Sequence, residues 1–246
     1  MIHLSGFHAI EERIKSGRGC GALLVAKPGP RAREIVALAT ERKITVTRVG
    51  TSDLDRLSGD HRGILLEVVD SVNDSNADIS LEEFIAGLGD EEGKQGVLAV
   101  ILDEITDPHN YGAILRSCDQ FGVDIVITRK RRIAKYAEVI SKTSAGASSW
   151  VPVTETPNLV RAAEILKDNG FWIYGADMEG DAVWDKDLRG RTAIILGGEG
   201  TGISRILKEN CDALVAIPSE GKIDSLNVSV AAGVLFYEVR RQQRRV

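Results

Sequence analysis

The sequence predicts an α/β protein with a parallel sheet covered by helices on both faces, preceded by a small α/β domain. Three observations carry this expectation. Beyond residue 97, short apolar runs alternate with segments of helical periodicity. The apolar runs are continuous rather than alternating, as in strands buried on both faces. A polar, acidic, glycine-containing stretch over residues 73–96 separates this part from the first 72 residues.

The elements follow in order. In the first part, helices are expected over 9–15 and 32–42, and strands over 21–26, 44–49 and 63–69, with Pro28-Gly29-Pro30 as a turn. Residues 73–96 read as a linker holding one short helix over 81–88. After it, strands are expected over 97–102, 123–128, 149–153, 171–176, 192–196 and 213–217. Helices are expected near 111–121, 134–141, 158–169, 203–209 and 227–241. The predicted domains are 1–72, 73–96 as linker, and 97–246.

Composition excludes several classes. With 43% hydrophobic and 27% charged residues in 246, the chain can build a core and a polar surface. The longest aliphatic run, 97–102, is far shorter than the ~20 residues of a membrane span. The opening MIHLSGFHAI lacks the features of a secretory signal, and Cys20, Cys118 and Cys211 are scattered. A reducing cytoplasmic setting is expected, with neither a disulfide framework nor a metal site. The net charge of −5 is concentrated in residues 73–96, which hold seven acidic residues and one lysine. The remainder is near neutral and contains basic runs at Arg129, Lys130, Arg131 and Arg132 and at Arg240, Arg241, Arg244 and Arg245. Such clusters, rather than net charge, bear on nucleic-acid contact.

In open α/β sheets, ligands bind beyond the carboxyl ends of the strands. Three unusual segments fall there. The first, DEITDPHNYGAILR (103–116), has Asn110 as a candidate helix cap, Gly112 for close backbone approach, and Arg116 expected on the same helix side as Asn110. The second, LGGEGTG (196–202), places Leu196, Gly197, Gly198 and Gly202 around Glu199. Its glycines allow a ligand close to the backbone. A carboxylate at its centre suits a hydroxyl, a base edge or an arginine better than a phosphate. The third, IPSEGKIDSLNVS (217–229), runs from Ile217 and Pro218 through Ser225, Leu226 and Asn227 into the last helix. No GxSxG, HExxH, Walker lysine or GxGxxG accompanies them.

Together these segments resemble the SpoU/TrmH family of RNA ribose 2′-O-methyltransferases of the SPOUT superfamily. Asn110, Gly112 and Arg116 match its N-x-G-x-x-x-R motif; LGGEGTGIS (196–204) and IPSEGKIDSLNVSVAAGVLFYEV (217–239) are similar to its second and third motifs. GFHAIEE (6–12) and HRGILLEV (61–68) are similar to the ends of its small N-terminal domain. The wording is closest to the branch that methylates a guanosine of bacterial large-subunit ribosomal RNA; members acting on tRNA share the motifs. The resemblance implies a deep trefoil knot, a homodimer, an N-terminal RNA-binding domain, and S-adenosyl-L-methionine held around Gly197, Ile217 and Leu226. It implies catalysis by Arg116, with Asn110, Glu199, Ser225 and Asn227 completing the site. RNA phosphates are then expected at Arg129, Lys130, Arg131 and Arg132, and at Arg31, Arg33 and Lys43 in the first domain. A non-catalytic ribosome-assembly factor on the same fold remains the alternative from another class.

Overall fold

The computed structural model describes residues 2–17, 19–59, 61–68, 79–89, 96–129, 136–221 and 225–244. These fall into two compact units. One contains the described residues up to 68 together with 136–150; the other contains 79–129 and 151–244.

The first unit holds a four-stranded sheet of β1 (Ile2–Leu4), β2 (Cys20–Val25), β3 (Val46–Arg48) and β4 (Ile64–Val68), in the order β1-β4-β2-β3. Only β2 and β3 run parallel. Helices α1 (Phe7–Ser16) and α2 (Pro30–Glu41) bury Ile10, Ile14 and Ile35 against Leu23, Ile64 and Leu66. Pro30 opens α2, where its fixed φ suits the first turn and its missing N–H costs nothing. Helix α3 (Thr51–Leu57) was not evident in the sequence. It buries only Leu54, and its start is held by Asp53 Oδ2 accepting from the Gly50 amide at 3.0 Å. One buried residue gives no periodicity to read.

The second unit holds six parallel strands: β5 (Leu98–Leu102), β6 (Ile125–Arg129), β7 (Val153–Thr156), β8 (Trp172–Ala182), β9 (Thr192–Leu196) and β10 (Ala213–Ala216). Their order is β10-β8-β9-β5-β6-β7. In β5 and β9 every residue is buried, so both faces of the sheet are covered, as the continuous apolar runs predicted. Helices α4 (Leu81–Gly87) and α7 (Leu159–Asp168) pack on the face carrying Ala99, Ile101, Ala193 and Ile195. Helix α5 (Pro108–Gln120) packs against α9 (Val228–Gln243), which also lies on β9. A short α8 (Arg205–Glu209) precedes β10. α6 (Ala137–Thr143) instead contacts β1 in the first unit, so residues 136–150 depart from the expected single C-terminal block.

Several local expectations change. The helix within 73–96 docks Leu81, Phe84, Ile85 and Leu88 on the second core, and a Ser80–Glu83 capping box starts it. The strand expected over 149–153 begins at Val153, because Pro152 has no N–H for the ladder and a 3-10 turn occupies Ala147–Ser149. Within the C-terminal basic run, Arg240 and Arg241 are held by the fold. Arg241 pairs with Glu238, and the Arg240 guanidinium is consumed inside the fold. Arg240 Nε donates to Phe121 O at 2.8 Å, Nη1 to Gly96 O and Gln243 Oε1 at 2.6 Å, and Nη2 to Asp124 Oδ2 at 3.0 Å. It also donates to Gly122 O. This one side chain ties α9 to the starts of β5 and β6.

Arg240→Ala would strand those acceptors, so it is expected to cost about 2–4 kcal/mol in urea unfolding. Arg240→Lys is expected to recover little, because an ammonium cannot reproduce the planar fork. Equal stability of Arg240→Ala and the native chain would refute the tether.

Candidate functional site

The carboxyl ends of β9 and β10, the middle of β8 and the start of α9 surround a cavity of about 790 Å³ in the second unit. Its lining includes all seven residues expected at the cofactor: Leu196, Gly197, Gly198, Gly202, Ile217, Pro218 and Leu226. Glu199, Ser225 and Asn227 line it as well. Sequence reasoning missed Ala176, Asp177 and Met178, which the long strand β8 carries to the same mouth. Their signal was position alone, at the carboxyl end of the apolar run 171–176.

The loop after β9 exists in this form because its glycines have no side chains. A Cβ on Gly197 would lie 2.1 Å from the Gly202 carbonyl carbon, and one on Gly198 would lie 2.7 Å from Glu104 O. Asp103 holds both ends of the loop: its N–H donates to Leu196 O at 2.9 Å, and its fully buried carboxylate accepts from the Ser204 amide at 2.8 Å.

The three motif segments meet at Glu199. Its Oε1 accepts from Asn110 Nδ2 at 2.6 Å and from Asn227 Nδ2 at 3.0 Å, while Asn227 Nδ2 also reaches Asn110 Oδ1 at 3.0 Å. A carboxylate accepts only, so the orientations of both amides follow from it. Asn227 Oδ1 in turn accepts from the Ser229 amide at 2.9 Å, capping α9. Asn227 thus serves helix and loop together.

Asn110 does not cap α5. Asp107 does, accepting from the His109 amide at 3.0 Å, with Pro108 as the first helical residue. The expected shared side of Asn110 and Arg116 is also overturned. Six residues of helix turn by about 600°, which leaves them about 120° apart. Asn110 is buried in the cluster; Arg116 is exposed, with no ion pair among the described residues. Neither lines the cavity. Arg129 is exposed at the end of β6, and Lys130, Arg131 and Arg132 lie outside the described residues. In the first unit Arg31 is already paired with Glu11 and Glu34, while Arg33 and Lys43 are exposed.

The charged groups on the described cavity lining are carboxylates, Asp177 and Glu199. Burial alone would raise the Asp177 carboxyl, but hydrogen bonds from Lys208, at 2.9 Å, and from the Glu179 amide outweigh it and lower the value. Lys208 thereby balances Asp177, which leaves Glu199 as the carboxylate on the described lining with no ion pair among the described residues.

Comparison with known proteins agrees with this geometry. Residues 97–237 match the family model described as SpoU rRNA Methylase family, and residues 4–71 match that for RNA 2′-O ribose methyltransferase substrate binding. The chain is 41% identical over 218 residues to the 23S rRNA (guanosine-2′-O-)-methyltransferase RlmB of Xanthomonas campestris, covering 87% of this chain and 84% of that protein. It is 37% identical over 243 residues to the RlmB of Neisseria meningitidis, covering 97% and 94%. The structure of the SpoU methyltransferase AviRb from Streptomyces viridochromogenes in complex with AdoMet shares the fold, with a TM-score of 0.78 and 24% identity over 99% of this chain and 90% of that one. The fold is that of a methyltransferase acting on RNA. The chain belongs to the SpoU rRNA methylase family. It is an RNA 2′-O-methyltransferase, and its cofactor is S-adenosyl-L-methionine.

The residues present fit that cofactor. The cavity has the volume of a small-molecule site, Gly197 and Gly198 let the loop that walls it fold closely on Gly202 and Glu104, and the Glu199 carboxylate on the lining complements a sulfonium. Gly197→Ala is expected to deform the loop and abolish measurable cofactor binding by calorimetry. Gly200→Ala meets open space at φ +78 and is expected to cost only about 1–2 kcal/mol of strain. Asn227→Ser is expected to keep the α9 cap, and so the thermal stability, while losing methyl transfer. Full activity in that variant would reduce Asn227 to a cap.

Proposed function

We propose that this enzyme methylates the ribose 2′-hydroxyl of a specific guanosine in 23S ribosomal RNA, in the cytoplasm and as a homodimer. The observation that carries the reading is the Asn110–Glu199–Asn227 cluster at the rim of the cavity, with Arg116 exposed on the helix of Asn110 and in no ion pair among the described residues. The two RlmB relatives supply the choice of RNA.

Leu196, Gly197, Gly198, Gly202, Ile217, Pro218 and Leu226 would hold the cofactor, which when bound supplies a methyl group on a positively charged sulfur. The chain's own task is to align a weakly acidic hydroxyl and to stabilise the charge it develops. The guanidinium of Arg116 offers donors and no acceptor, so it acts as an electrostatic partner of the forming oxyanion and a clamp on the neighbouring phosphate, not as a base. Glu199, fixed by two amides, and Ser225 at the cavity wall orient the acceptor nucleoside. Such positioning is worth up to about 7–11 kcal/mol of barrier. Arg129 to Arg132, with Arg33 and Lys43, take RNA phosphates, while the charge of Arg31 is shared with its two carboxylates.

Two features support the homodimer. Arg116 lies about 120° around α5 from its own Asn110 cluster, which suits a site completed by a second copy. On α9, Val230, Val234 and Tyr237 form a stripe that is 51%, 39% and 58% exposed. The trefoil knot is proposed for the C-terminal part of the chain on family membership.

Mass spectrometry of ribosomal RNA from a deletion strain is expected to show one lost 2′-O-methylguanosine in 23S rRNA, restored by the native gene. Loss of a tRNA ribose methyl instead would reassign the substrate. Arg116→Ala and Arg116→Lys are expected to fold, dimerise and bind cofactor, yet lose about 10²–10³ in single-turnover methyl transfer, with Lys retaining more. Near-native transfer by Arg116→Ala would overturn its role.

A further inference from the structure

The first unit has a rim where the carboxyl ends of β2 and β3 meet the start of β4. Val25 pairs with Arg48 on one side and with Ile64 on the other, so the segments 25–27, 48–50 and 61–64 lie side by side. The Ala26 amide donates to Gly63 O at 2.9 Å, and a Cβ on Gly63 would lie 2.6 Å from Lys27 O. Lys27, Arg48 and Arg62 are all exposed there. Lys27 and Arg48 have no carboxylate partner among the described residues.

The turn carrying Arg62 is held in an unfavourable conformation. Arg62 has φ 48 and Gly63 has φ 87, both left-handed. Glycine adopts this freely; an arginine does not. The His61 ring locks the turn from both sides. Its Nδ1 accepts from the Gly63 amide at 2.9 Å, which leaves Nε2 to donate to Asp55 Oδ1 at 3.0 Å. The fold therefore fixes an arginine at a position where local stability favours glycine or asparagine. Strain of this kind persists where the surroundings over-determine it, and it clusters at functional sites.

We infer that Lys27, Arg48 and Arg62 form a phosphate-gripping rim for the substrate RNA, with Arg62 presented rigidly by the His61-locked turn. The inference rests on the RNA-methylating function proposed above. It adds the sheet rim to the phosphate contacts proposed above for Arg33 and Lys43, while Arg31 is paired with Glu11 and Glu34. Phosphate contacts of this type fix register without reading sequence. A preset turn spares the ordering cost that a mobile arginine would carry.

The test uses the full chain and a transcribed 23S rRNA fragment that the native enzyme methylates. Arg62→Gly removes the charge and relieves the strain together. It is expected to raise or hold the melting temperature while weakening RNA binding about five- to tenfold, an opposition that a structural role for Arg62 would not produce. Lys27→Ala/Arg48→Ala/Arg62→Gly is expected to weaken binding about 100-fold and to lower the log–log salt slope by about 2–3. Cofactor affinity by calorimetry is expected to stay at the native value. Arg31→Ala serves as comparison, with an expected change below about twofold. Unchanged RNA affinity and salt slope in the triple variant, with the native enzyme still methylating the fragment, would overturn the rim alone. A native enzyme that neither binds nor methylates any ribosomal RNA would overturn the rim together with the function it rests on.

Discussion

Glu199 Oε1 accepts from Asn110 and Asn227, residues that lie 89 and 28 positions away along the chain, and the alignment of the three motif segments follows from that convergence. The convergence has a condition of its own. Glu199 can stand at the cavity rim only because Gly197 and Gly198 let the loop fold back on Gly202 and on Glu104 O without side chains between them. Backbone closeness sets the position of the carboxylate, the carboxylate sets the orientation of two amides, and one of those amides caps the last helix. Apolar packing alone would position these segments only to the nearest side chain. Acceptor-only chemistry at one oxygen fixes them to a single arrangement.

The arginines show how partners, rather than residue type, define a role. Arg240 is almost enclosed and spends its donors on carbonyls and a carboxylate, so it holds the fold. Arg31 is balanced by two acidic neighbours on the surface. Arg116 stands exposed on α5 without an ion pair among the described residues, which keeps its charge available to an incoming polyanion.

Much of this was legible in the sequence, for identifiable reasons. The β5 and β9 runs, LAVIL and TAIIL, are buried at every position, and continuous apolarity announces that directly. The glycine density of 196–202 marked a close approach, and each residue expected at the cofactor lies on the cavity. What was illegible depends on distance across the fold or on single capping bonds. Asp107 and Asn110 are both good caps on composition, and only Pro108 between them decides which one starts the helix. The separation of Asn110 from Arg116 around the helix is plain from 3.6 residues per turn; motif proximity obscured it. Arg240 looked like part of a basic tail because its acceptors, from Gly96 to Asp124, are more than a hundred residues earlier. Asp177 had only its position as a signal, just past the apolar run 171–176, because β8 continues to Ala182 and carries it along the cavity.

The Arg240 tether has a kinetic side. Its partner Gly96 O is 144 residues upstream, and the central pairing of the sheet joins Leu98 to Thr192. Such long-range contacts incur their loop-closure cost before they return any stability, which slows folding. During synthesis the early strands of this unit must wait, with apolar edges open, until β9 and then α9 leave the ribosome. The first unit's four strands lie within the opening 68 residues, while α6, which packs on β1, follows only at Ala137–Thr143. The sheet of the first unit thus forms early and that of the second unit last, and exposure to aggregation is concentrated in that interval.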